Sequence, residues 1–120
     1  MSKRVIKGYE PDGMFGYFEE ISAIPRGSGN ESGIADYLVS FAEKRGLQYV
    51  RDALDNVFMR RPASDGREND PAVLLQGHID MVCVKTAESA HDFLADPLAL
   101  FTDGDMLGAR STTLGGDDGI

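Results

Sequence analysis

Apolar residues near the start of the chain recur at helical spacing. Met14, Phe15, Phe18, Ile21 and Ile24 return every three or four positions, which gives an amphipathic helix one apolar face. Pro11 suits a first turn and Pro25 cannot continue a helix, so the pattern predicts a helix over residues 11–23. A second stripe, Ile34, Leu38, Phe41 and Ala42, predicts another helix that Gly46 ends just after Lys44-Arg45. Two caps compete for its start. Ser28 stands three residues before Glu31 in a capping-box arrangement, and Asn30 is the alternative.

Beyond Gly46 the period shortens. Residues 47–50 and 57–60 are short β-prone runs around Asp52-Ala53-Leu54-Asp55-Asn56, which predicts a hairpin. Residues 62–71 are rich in Asp, Gly and Asn and predict a surface loop. Residues 72–75 are continuously apolar, and the lack of alternation predicts a strand buried on both faces. That run feeds directly into Gln76-Gly77-His78-Ile79-Asp80. Farther on, residues 98–101, the acidic Asp103-Gly104-Asp105 and residues 106–109 predict strand, turn and strand. Two helices ahead of a mixed set of strands indicate an α/β layered sheet, whose sites lie at strand ends.

Length and charge narrow the classes. At 120 residues there is room for one domain with a modest core. Twenty acidic against twelve basic side chains give a net charge of −8, which repels nucleic acid and anionic membranes. Neither is expected as a partner. The single cysteine, Cys83, excludes an internal disulfide and fits a reducing compartment; beside an apolar run it is expected as a small buried side chain. The first seven residues hold no signal-peptide core, and no apolar run reaches membrane-spanning length, so the cytoplasm is the expected location.

Candidate chemistry sits at two places. Residues two apart on a strand point the same way, so Asp80 can hold one ring nitrogen of His78 and leave the other to a metal. Alone, such a pair is more often a structural histidine beside a surface aspartate. The second place is Gly115-Gly116-Asp117-Asp118-Gly119, where glycines let the backbone approach a ligand and a carboxylate can bridge two cations about 4 Å apart. A plain acidic turn is the alternative. His91 is expected to be structural, and Asp103-Gly104-Asp105 lacks the closing glutamate of a calcium loop.

Taken together these segments resemble a known family. Ile24-Pro25-Arg26-Gly27-Ser28-Gly29-Asn30-Glu31, Leu75 to Cys83, His91-Asp92-Phe93 with Asp96-Pro97, Asp103-Gly104-Asp105, and Thr112-Thr113-Leu114-Gly115 followed by Asp117 are similar, in collinear order, to the aminoacyl-histidine dipeptidases. These are the Xaa-His, carnosinase-like branch of the cocatalytic zinc exopeptidases. The resemblance implies two zinc ions, with His78 as a ligand of one, Asp117 bridging both, and Asp80 as the catalytic-site aspartate that holds the His78 ring. Other divalent metals remain open. A water between the metals would attack the scissile carbonyl, and a glutamate beyond residue 120 would act as base. It further implies a cis peptide after Asp117. The chain departs from the pattern of the family it resembles at Ser111, usually Gly, at Met106, usually aromatic, and at Gly116 and Asp118, usually Ala and Asn; Asp118 is thus a second candidate carboxylate, with Asp117 kept as the bridge.

Residues 1–120 are therefore expected as the N-terminal portion of a catalytic domain with a zinc-exopeptidase-type mixed sheet and flanking helices, incomplete in this chain. The lid domain and the remaining ligands would lie downstream. The expected substrate is a small peptide with a free N-terminus, Xaa-His dipeptides foremost, and a homodimer is one assembly open to the longer protein. The isolated chain is expected to be inactive. Rival readings are another enzyme of the superfamily, an aminoacylase or tripeptidase, and a short non-catalytic metal-binding or interaction module.

Overall fold

A computed structural model of the chain describes residues 3–116. Its elements run in the order α1 (Asp12–Ser22), α2 (Ser32–Lys44), β1 (Gln48–Arg51), β2 (Val57–Arg60), β3 (Leu100–Asp103) and β4 (Met106–Ala109). The fold is α/β: helices accompany two antiparallel two-stranded sheets, β1 with β2 and β3 with β4. The chain divides into two compact units, residues 35–76 and the remainder.

In the larger unit, α1 turns Phe18 and Ser22 inward. Ile6, Ile34 and Met81 are also buried there. The Glu19 carboxylate accepts the backbone N–H groups of Val5 (2.9 Å) and Ile6, which fastens the chain's start to the helix and seats Ile6. The predicted helix matches within a residue. The second helix does not start at either predicted cap. The Asn30 N–H donates to the Gly27 carbonyl at 2.8 Å, closing a β-turn over residues 27–30. Gly29 stands third in that turn with φ +88°, which side-chain-bearing residues rarely adopt. With 27–30 spent on the turn, helix begins only at Ser32.

Residues 79–86 make up the framework on which the site rests. On one side the Met81 N–H donates to the Arg26 carbonyl (3.0 Å) and the Ser28 N–H to the Met81 carbonyl (3.3 Å), a parallel bridge between Gly27 and Met81. On the other side Lys85 bridges Thr112 antiparallel, and Thr113 Oγ1 donates to the Val82 carbonyl at 2.6 Å. The turn between β3 and β4 is Gly104-Asp105, with Gly104 at φ +55°; Asp103, predicted in the turn, ends β3 and pairs with Met106, and the strand predicted over 98–101 lies two residues later. Ser111 sits at φ +59°, a left-handed conformation that side-chain-bearing residues rarely adopt.

The predicted buried strand over residues 72–75 is not there. No strand pairing includes them among the described residues, and Val73, Leu74 and Leu75 are 85%, 74% and 89% exposed. A strand is stabilised by its neighbours' hydrogen bonds, and along this run pairing starts only at Met81. Cys83, expected to be buried, is exposed as well. It lies beyond the paired Met81, its sulfur 3.7 Å from that residue's carbonyl oxygen and close enough to Gly27 that a Cβ there would meet it at 2.7 Å.

In the smaller unit, β1 and β2 pair Gln48 with Arg60 through Arg51 with Val57, the predicted hairpin. Its loop is held from inside. Asp52 accepts the N–H groups of Leu54 and Asn56, each at 2.9 Å, and the Asn56 side chain at 2.8 Å. Arg51 then joins Asp55 (2.6 Å) and Asp36 on α2 (2.5 Å), so helix and hairpin share one guanidinium.

Two outcomes follow. The bonds from Asn56 are the main cause holding the Asp52 carboxyl below its usual pKa. A folded-state pKa lower than the unfolded one stabilises above the unfolded value, about 3.9, and that contribution vanishes as pH falls through the folded value. The protection factors of the β1 and β2 amides, exchange rates taken relative to the intrinsic rate at each pH, should therefore fall in this acid window, and Asp52→Ala should abolish the pH-dependent part. The bare run 72–75 should drive self-association of the isolated chain. Light scattering should show species larger than a monomer, reduced by Leu74→Lys.

Candidate metal centre

Residue spacing of two brings His78 and Asp80 to one side of the chain, and the side chains meet. His78 Nδ1 lies 2.9 Å from Asp80 Oδ1. The second carboxylate oxygen, Oδ2, accepts a hydrogen bond from Ser28 Oγ at 2.5 Å. The Ser28 bond first, and the His78 bond next, hold the Asp80 carboxyl below its ordinary pKa, so it is a carboxylate at neutral pH. The His78 side chain is 52% exposed and that of Asp80 33%, so the pair faces outward from a framework that fixes its backbone.

That framework converges on Arg26, which is 2% exposed. Its Nη2 donates to the Gly115 carbonyl at 2.7 Å, its Nη1 to the Ile79 carbonyl at 3.5 Å, and its Nε to the Ile21 carbonyl at 3.4 Å. One buried cation thereby joins the end of α1, the residue between His78 and Asp80, and the glycine pair preceding Asp117. Gly115 must be glycine on packing grounds as well, since a Cβ there would stand 2.7 Å from Met81 Cβ. Gly116 follows at φ +96°. Asp117 and Asp118, the expected bridge and its rival, lie outside the described residues, as does the expected cis peptide.

The donor set suits a metal in kind. A neutral imidazole oriented by a carboxylate is how zinc-binding histidines are commonly held. Among the described residues, however, no group of three or more His, Cys, Asp or Glu side chains gathers to hold an ion. Beside the pair opens a cleft of about 400 Å³, lined by Gly27, Ser28, Asn30, Met81, Cys83 and Phe93 among others. His91 packs edge-on against Phe93 with centroids 4.6 Å apart.

Sequence reasoning missed Arg26 as a tether and read Ser28 as a helix cap. The signal available was the cluster of glycines around Ser28, which marks a turn as readily as a cap.

The chain as a whole has known counterparts. It is 41% identical over 110 residues to the cytosol non-specific dipeptidase of Escherichia coli (strain K12), across 92% of this chain and 23% of that protein. The chain resembles dipeptidases. Its structure superimposes with a TM-score of 0.88 on the crystal structure of aminoacylhistidine dipeptidase from Vibrio alginolyticus, at 39% identity, covering 95% of this chain and 23% of that one. The chain thus spans about a quarter of the length of these relatives. No family model matches it. The likeness read from five motifs extends over nearly all of the sequence.

Replacing Gly115 with alanine tests the convergence. The added methyl meets the Cβ of Met81 rather than a flexible tip, so the backbones must separate, at a cost of about 1–3 kcal/mol. Thermal denaturation should show that loss, together with faster exchange of the Met81 amide.

Proposed function

We propose that this chain is part of a zinc-dependent dipeptidase of the aminoacyl-histidine type, acting on small peptides with a free N-terminus. The observation that carries this reading is the His78–Asp80 pair at 2.9 Å, set in a segment 41% identical to a dipeptidase. His78 would be a metal ligand through Nε2, because the Asp80 carboxylate holds a proton at Nδ1 and so directs the lone pair to the opposite nitrogen. Asp117 is the carboxylate assigned to bridge two ions, with Asp118 adjacent. Zinc, when bound, would lower the pKa of a water and polarise the scissile carbonyl.

The chain's own residues contribute orientation. Asp80 sets the ring, Arg26 sets the backbone beneath it, and the acidic surface leaves the site to small substrates rather than nucleic acid. Residues 1–120 are the N-terminal portion of the catalytic domain in this reading. The name of the Escherichia coli relative supports a cytosolic location, as does the use of a single cysteine. Among the described residues no helix is long and apolar enough to cross a membrane.

The full-length protein should hydrolyse Xaa-His dipeptides faster than N-acyl amino acids or tripeptides. A chelator should abolish the activity, and His78→Ala should reduce it by at least about 100-fold, the scale on which metal-site losses act. The 120-residue chain alone should be inactive, since one histidine and an aspartate or two do not complete a dinuclear site. Chelator-insensitive hydrolysis, or full activity in the His78 variant, contradicts the assignment.

A further inference from the structure

The Ser28 hydroxyl is one hydrogen bond removed from the histidine and has no part in capping α2. Its backbone is fixed twice: by the Ser28 N–H to the Met81 carbonyl at 3.3 Å, and by the turn that the Asn30 N–H closes on the Gly27 carbonyl at 2.8 Å. The parallel bridge pairs Gly27 with Met81 and so brings the flanking residues Ser28 and Asp80 close together. There Ser28 Oγ meets Asp80 Oδ2 at 2.5 Å while Oδ1 meets His78 Nδ1 at 2.9 Å. A carboxylate turns about its own bond more freely when one oxygen is left unengaged, and here Ser28 engages Oδ2 while His78 lies against Oδ1.

We propose that Ser28 is a positioning residue for the metal-site histidine: it locks the Asp80 carboxylate so that Oδ1 accepts from Nδ1 of His78, which keeps Nε2 as the coordinating nitrogen. The inference rests on the dipeptidase reading only for the metal, not for the tautomer. The Ser28 hydroxyl donates to Oδ2, the His78 Nδ1–H donates to Oδ1, and the lone pair on Nε2 is aimed by the ring that these bonds orient. Groups hydrogen-bonded to a metal-ligating side chain change metal affinity by about 10- to 100-fold, and Ser28, one bond farther out, acts at the lower end of that range.

The experiment uses the full-length protein with histidine labelled by the heavy nitrogen isotope, stripped of metal and held at a fixed pH where imidazole is neutral. Ring nitrogen spectra, with His78 assigned by its loss in His78→Gln, report which nitrogen carries the proton. The wild-type ring should be protonated at Nδ1, Ser28→Ala should shift it toward the mixture of a solvated imidazole, and Ser28→Thr, which keeps a hydroxyl, should restore the wild-type spectrum. Zinc titrated into the same proteins should bind Ser28→Ala about 10-fold more weakly and Ser28→Thr as the wild type does. An unchanged tautomer in Ser28→Ala, or a Ser28→Thr spectrum that matches the alanine variant, overturns the role of Ser28. A shifted tautomer with unaltered zinc binding keeps Ser28 as the holder of Asp80 and overturns His78 as a ligand.

Discussion

The buried guanidinium of Arg26 is the contact on which the arrangement around the site depends. Placing a cation where it is 2% exposed is costly unless its donors are satisfied, and the acceptors here are backbone carbonyls from three separate stretches. Hydrogen bonds from a charged donor contribute roughly 1.5–3 kcal/mol each, and leaving a buried carbonyl bare costs a similar amount. Arg26 therefore gathers α1, the His78–Asp80 segment and the Gly115-Gly116 approach by the same bonds that make its own burial tolerable.

Around that tether the chemistry is graded outward. Arg26 is sealed, Asp80 is partly covered, and His78 is half exposed. The order fits the proposed roles. A tether gains from a low dielectric that strengthens its bonds, an orienting carboxylate would be held by its donors, and a ligand would need access to the ion it takes. Ser28 joins the first tier to the second, because the turn that presents its hydroxyl is docked on the same Met81 that Arg26 fixes.

The hairpins were legible from local signals. Asp52-Ala53-Leu54-Asp55-Asn56 and Asp103-Gly104-Asp105 are turn chemistry, and the side chains of Asp52 and the φ of Gly104 act within a few residues. The first helix was equally legible, since Phe18 and its neighbours carry the stripe that packs. The apolar run 72–75 misled for the opposite reason. Hydrophobicity states that a segment has a buried place in some sheet, but pairing needs a neighbour, and among the described residues the neighbours begin at Met81.

The amino-acid sequence by itself determined the periodic elements, the acidic surface and the His78–Asp80 spacing, because these depend on residue types within a few positions of one another. It also carried the likeness to dipeptidases, through motifs in fixed order. Only the tertiary structure decided what Arg26 and Ser28 do. Their partners, Gly115 and Asp80, lie far along the chain, and no local pattern distinguishes a surface arginine from a buried one or a capping serine from one that holds a carboxylate. That distinction is made when the backbone brings distant acceptors within hydrogen-bonding reach.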